Sequence, residues 1–134
     1  MAVTGGCLCG QVRYEGAGKP TRAVVCHCRD CQRATGSAFA VFIGVPAETV
    51  AFQGSLKTFH GRGDSGRPVE RSFCADCGSP VTIGVTLRPE MTFFAAGTLD
   101  DASIVRPVRQ LWCDSAQPWV DLGHAIERVA KGPV

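Results

Sequence analysis

Eight cysteines stand in a chain of 134 residues: Cys7, Cys9, Cys26, Cys28, Cys31, Cys74, Cys77 and Cys113. Thiolates are soft metal ligands and, once deprotonated, good nucleophiles. The spacing of these eight separates them into groups. Cys7-Leu8-Cys9 and Cys74-Ala-Asp-Cys77 are pairs. In an extended segment residues i and i+2 share a face, so Cys7 and Cys9 can aim two sulfurs at one point. Cys-x-x-Cys is the knuckle spacing of zinc sites, a tight turn that presents two sulfurs together. Gly10 and Gly78 follow the two pairs. Glycine tolerates positive φ, which lets backbone N–H groups turn toward sulfur. Four thiolates from two such pairs make a tetrahedral S4 site suited to zinc or iron. The alternatives are buried apolar cysteines or a redox dithiol pair. Paired spacing with following glycines favours metal.

The second constellation is Cys26-His-Cys28-Arg-Asp-Cys31. Cys26 and Cys28 share a strand face. If a helix begins near Cys28, then Cys28 and Cys31 are i and i+3 neighbours on it. Three sulfurs then converge from six residues. A structural zinc takes four protein ligands, whereas a catalytic one takes three and keeps a position open. Only Cys113 is left over, in Leu111-Trp-Cys113-Asp. The count favours one closed four-thiolate site and one three-thiolate site with a vacancy. A second structural site closed by Cys113 or a histidine stays open as an alternative. So does disulfide cycling of Cys28 and Cys31, although the βαβ context of that motif is absent.

An open position beside three thiolates suits a substrate thiol. A cation carrying three thiolates is electron-rich, hence better at holding a sulfur nucleophile or leaving group than at polarising a carbonyl. Arg29 and Arg33 flank the cluster. Guanidinium pairs with carboxylates bidentately, so a small acidic thiol fits, against the alternative of solvated helix-face charges. His27 alternates with the two cysteines around it and is expected to point away from the metal. His60 lies beside a glycine-rich stretch, within reach of acid–base work but more simply solvated, and His124 is taken the same way. Cys113 is most simply a small core residue.

The elements that position these residues are mostly short strands. Strand signal falls on 10–14, 21–26, 39–45, 50–52, 56–59, 71–73, 81–85 and 91–95, with β-branched and aromatic runs between Gly and Pro. Gln53-Gly54-Ser55 suggests a hairpin between the fourth and fifth of these. Phe39, Phe42, Phe73, Phe93 and Phe94 are core by default, with one or two walling a pocket. Helical signal is confined to 28–35, stopped by Gly36, and to 121–130, where Leu122, Ile126 and Val129 recur at helical spacing. Residues 61–68, Gly-Arg-Gly-Asp-Ser-Gly-Arg-Pro, read as a mobile loop. The fold class is mainly β with minor helix.

Composition narrows the function classes. The length suits one domain, 1–134. Hydrophobic residues at 45% and charged residues at 19% exclude disorder as the main description. The longest apolar run, residues 38–45, is far short of the roughly 20 needed for a membrane span. The N-terminus carries no signal-peptide pattern, so a cytoplasmic, reducing compartment is expected, where clustered cysteines ligate metals rather than form disulfides. A formal net charge of +2 argues against nucleic-acid binding.

Three segments together resemble one family. Gly6-Cys-Leu-Cys-Gly-Gln-Val-Arg-Tyr14, Cys26-His-Cys-Arg-Asp-Cys31 and Arg71-Ser-Phe-Cys-Ala-Asp-Cys-Gly-Ser79 are similar to the motifs of the glutathione-dependent formaldehyde-activating enzymes, whose domain centromere protein V also carries. The resemblance runs from about residue 5 to 119. It implies a β-tent fold of short antiparallel strands with two zinc ions per chain. Matched residue by residue, Cys7, Cys9, Cys74 and Cys77 hold a structural zinc, and Cys26, Cys28 and Cys31 a catalytic one. The implied activity is that of a carbon–sulfur lyase on S-hydroxymethylglutathione or a related thiol adduct. The alternative is a non-catalytic zinc scaffold that binds glutathione or a protein partner. In the segment Arg106–Trp112 the family commonly has a histidine where this chain has Gln110. The chain is also shorter than the founding enzymes.

Overall fold

The computed structural model describes residues 2–132. Its strands are β1 (Val3–Gly6), β2 (Arg13–Gly16), β3 (Ala23–Cys26), β4 (Ala40–Pro46), β5 (Val50–Gln53), β6 (Leu56–Arg62), β7 (Pro68–Cys74), β8 (Pro80–Val85), β9 (Met91–Ala95), β10 (Pro107–Leu111) and β11 (Glu127–Arg128). One α-helix, α1 (Arg29–Thr35), lies between β3 and β4. Gly36 ends it in the left-handed conformation at φ 67°, the usual glycine C-cap. The architecture is mainly β with one short helix.

The strands form two sheets. One has three strands in the order β1-β2-β5, and the other eight in the order β11-β10-β3-β4-β9-β8-β7-β6. Antiparallel pairing predominates, but β10 runs parallel to both β3 and β11. The small sheet covers one face of the large one. Tyr14 of β2 stacks on Phe94 of β9 with ring centroids 3.9 Å apart and planes 7° from parallel. Around them lie Val3, Val12, Ile43, Val45, Val81 and Leu99, all buried. Full burial of a side chain such as Phe94 contributes about 1.5–3 kcal/mol, and an aromatic pair adds about 0.5–1.5. The Tyr14 hydroxyl keeps a partner at Thr98 Oγ1, 2.7 Å away. Asp100 ties the first hairpin down by accepting from Arg13 and from Thr4 Oγ1. The Arg13 guanidinium, with Thr4, holds the Asp100 carboxyl below its usual range.

The opposite face of the large sheet is the working face. Strand register decides which side chains share it, since cross-strand partners point the same way. Cys26 is opposite Ala40, and Phe42, two residues on, is opposite Ala95. Phe93, two residues back from Ala95, is opposite Ile83, which is opposite Arg71, which is opposite Phe59. Cys26, Phe42, Phe93, Ile83, Arg71 and Phe59 therefore line one surface, away from the Tyr14–Phe94 core. Of the five phenylalanines taken as core by default, Phe94 is the one fully buried there, while Phe42 and Phe93 are the ones that wall the cavity beside the second cysteine cluster.

Four local expectations are corrected. Cys7-Leu8-Cys9 is not extended; it occupies the turn of the β1–β2 hairpin, closed by Gly10 N–H donating to Cys7 C=O at 3.2 Å. β5 and β6 are not a hairpin, because β5 pairs with β2 and β6 with β7. At Gly54, φ 92°, the chain crosses between sheets so close to Gln11 that a Cβ would meet Gln11 O at 2.0 Å. The loop expected at 61–68 is narrower, 63–67: Gly61 and Arg62 belong to β6 and pair with Val69 and Pro68 of β7. The helix expected at 121–130 is absent. Gly123 turns there at φ 82°, and Val129 N–H donates to Gln110 C=O at 2.8 Å, so this segment adds β11 to the sheet.

Candidate metal centres

The first cluster joins two turns distant in sequence. Cys7 and Cys9 come from the β1–β2 turn, Cys74 ends β7, and Cys77 lies in the turn before β8. Their four sulfurs lie within 4.8 Å of one another. Cys7 Sγ is 3.6 Å from Cys9 Sγ, which is 3.8 Å from Cys74 Sγ. A tetrahedral S4 zinc site with bonds of about 2.3 Å has sulfurs about 3.8 Å apart, so the donor set fits such an ion. Backbone N–H groups surround the sulfurs, as in metal knuckles. Val12 N–H donates to Cys7 Sγ at 3.3 Å, and Asp76 and Cys77 N–H donate to Cys74 Sγ at 3.3 and 3.4 Å. Gln11 Nε2 also donates to Cys74 Sγ at 3.3 Å. The two glycines act indirectly. Gly10 and Gly78, both at positive φ, fold the turns so that their neighbours' N–H groups reach sulfur. The Ser79 hydroxyl and the backbone N–H groups of Ser79 and Cys9 pull the Cys77 thiol down to about 5. Cys77 is thereby prepared as a thiolate ligand.

The second cluster stands at the other end of the large sheet. Cys26 ends β3, Cys28 is the N-cap of α1, and Cys31 lies in its first turn. Their sulfurs also lie within 4.8 Å of one another, with Cys26 and Cys31 buried and Cys28 half-buried. Cys31 N–H donates to Cys28 Sγ at 3.2 Å. Hydrogen bonds from Cys26 and Cys31 hold Cys28 far below the ordinary thiol range, and sharing with Cys28 and Cys31 pushes Cys26 up. The three soft donors, one of them a ready thiolate, suit zinc. They open into a cavity of about 570 Å³ whose walls include Phe42, Ile83, Phe93, Leu111 and Trp112. Trp112 takes a left-handed backbone, φ 57°, and its ring is buried against Cys26, Cys31 and Ala40.

Cys113 lies outside both clusters, its thiol donating to Gln110 C=O at 3.5 Å. His27 points away from the sulfurs, as its place between two of them requires. It is fully buried, with Nε2 3.0 Å from Gln110 Oε1 and its ring edge-on to Phe39. Gln110, equally buried, is thus committed to His27, on the face remote from the three sulfurs. His60 is exposed near Glu70, and its neighbours Phe59 and Gly61 carry the working face, so it points away from the cavity. His124 is exposed.

Arg29 lines the 570 Å³ cavity, with Nη1 donating to Gln32 Oε1 at 2.5 Å. Arg33 instead lines a neighbouring cavity of about 1090 Å³. The arginine in contact with the sulfurs is Arg71: its Nη1 and Nη2 each lie 3.8 Å from Cys31 Sγ. The sequence offered one signal for it, the alternation that puts Arg71 and Phe73 on one side of β7. The pairing that carries that side to Cys31 runs through β8, β9 and β4 and has no local signature.

Comparison with known proteins agrees with this geometry. A solved structure of a Rhodobacter sphaeroides protein superposes with a TM-score of 0.56 at 23% identity, covering 75% of this chain and 88% of that one, and shows a shared fold. Among curated proteins, none matches the chain. The family profile described as glutathione-dependent formaldehyde-activating enzyme matches residues 2–115, a span that contains both cysteine clusters. With two thiolate clusters placed by one mainly β fold and that match over most of its length, the chain belongs to the glutathione-dependent formaldehyde-activating enzyme family.

Proposed function

We propose that this single-domain protein is a zinc-dependent carbon–sulfur lyase acting on S-hydroxymethylglutathione or a related thiol adduct. The observation that carries this is the three-sulfur cluster open to a cavity of about 570 Å³, beside a separate four-sulfur cluster. Cys7, Cys9, Cys74 and Cys77 would hold a structural zinc, and Cys26, Cys28 and Cys31 a second one. The second ion would supply a soft position for the substrate sulfur, stabilising it as a leaving thiolate.

The chain's own residues do the rest. Cys26, Cys28 and Cys31 would supply three ligands to that ion, and all three line the cavity. Phe42, Phe93 and Trp112 give that cavity apolar walls beside its arginines. Arg29, at the rim, meets a carboxylate of the substrate, and Arg33 marks the adjoining cavity as a second place for an acidic group. The reaction balances without a co-reactant. The C–S bond breaks with its pair going to sulfur. The hydroxyl O–H pair becomes the second C–O bond of formaldehyde, and that proton ends on the thiol. The substrate is a small-molecule thiol adduct, and a reducing compartment such as the cytoplasm keeps the cysteines available.

The test is exchange between formaldehyde and glutathione, followed by NMR with the zinc-loaded protein. Exchange well above the spontaneous rate, and lost in C28S, is expected. Glutathione binding with no acceleration would overturn the lyase assignment in favour of a scaffold.

A further inference from the structure

The 570 Å³ cavity is lined by four arginines: Arg29, Arg71, Arg88 and Arg109. Three have other partners. Arg29 donates to Gln32, Arg88 to Glu90 at 2.7 Å and Arg109 to Glu127 at 3.0 Å. Arg71 has no carboxylate partner among the described residues. Both of its Nη atoms rest 3.8 Å from Cys31 Sγ. It is half-buried on the working face and lines both cavities.

The charge count makes that placement consequential. Three thiolates and a divalent cation carry −1 together. A fourth thiolate brings the group to −2, and the burial of Cys26 and Cys31 makes such charge costly unless a cation offsets it. A neutral fourth ligand adds nothing. We propose that Arg71 makes the three-cysteine centre selective for an anionic sulfur as its fourth ligand, by offsetting the charge that a thiolate brings. This rests on the open position assigned under the proposed function. Arg71 is a positioning residue acting through the charge at the centre.

The test uses full-length protein loaded with cobalt(II), whose absorption reports ligand exchange, at pH 8. Wild type, R71Q, R71M and R71K are titrated with 2-mercaptoethanol and, separately, with imidazole. The two neutral variants are expected to bind 2-mercaptoethanol about tenfold more weakly, equivalent to about 1.4 kcal/mol. Imidazole binding is expected to stay within about twofold, and R71K to recover most of the thiol affinity. Unchanged thiol affinity in R71Q or R71M would overturn the inference while leaving the open position intact. Equal loss for both ligands would overturn it too, by showing a merely structural role. Loss of metal from both neutral variants, with R71K retaining it, would also overturn it, since the charge would then hold the three cysteines rather than choose the fourth ligand. If wild type takes up no thiol at all, the open position itself fails, and this inference with it.

Discussion

Replacing Cys28 with serine should remove one of two zinc ions per chain and abolish turnover while the fold persists. The serine would leave two sulfurs, Cys26 and Cys31, too few to retain an ion against ordinary competitors. The fold should survive because Cys28 has a second, replaceable role. Its sulfur caps α1 by accepting from Cys31 N–H. A serine hydroxyl is among the better N-caps and takes over that bond. The core under the large sheet lies on the other face and does not touch this position. Metal analysis should therefore read one zinc per chain, with unchanged far-ultraviolet circular dichroism. A count that stays at two would contradict the assignment of Cys28 as a ligand.

Replacing Cys77 with serine should do the opposite kind of damage. The four-sulfur cluster brings the β1–β2 turn against the β7–β8 turn, so an ion held there would join the two sheets. Structural zinc sites in small domains contribute about 10–16 kcal/mol to folding, as much as the whole net stability of a typical domain, about 5–15. The backbone N–H of residue 77, which donates to Cys74 Sγ, is kept in the variant, so the damage comes from the missing ligand. Its loss should leave a chain that is insoluble or lacks a cooperative thermal transition. The check is to melt C77S beside C28S. Equal damage in the two would remove the division into a structural and a functional centre.

Much of this was legible in the sequence because the informative signals are local. Four residues bring Cys74 and Cys77 together whatever the rest of the chain does. Cys26, Cys28 and Cys31 converge within one strand end and one helical turn. β9 falls on 91–95 as the β-branched and aromatic run predicts. What local patterns missed depends on distant partners. Gln53-Gly54-Ser55 has hairpin composition, yet the Gln11 side chain bonds both ways with Ser55 and hands the chain from one sheet to the other. Leu122, Ile126 and Val129 match a helical period, but Gly123 and the open edge of β10 draw the segment into β11. Arg71 opens the third cysteine motif, yet no local pattern marks its role, since the face it serves depends on strand order across the sheet. Arg29 and Arg33, neighbours of the cluster in sequence, are displaced from the sulfurs by the helix that carries them.

The central claim is that Cys26, Cys28 and Cys31 leave a fourth position for a substrate sulfur. Its most direct test is a crystal structure of the zinc-loaded protein soaked with glutathione. The expected result is the glutathione sulfur about 2.3 Å from the second zinc, with Cys26, Cys28 and Cys31 completing the tetrahedron. A fourth position closed by Cys113 or a histidine, with glutathione bound elsewhere or not at all, would contradict it.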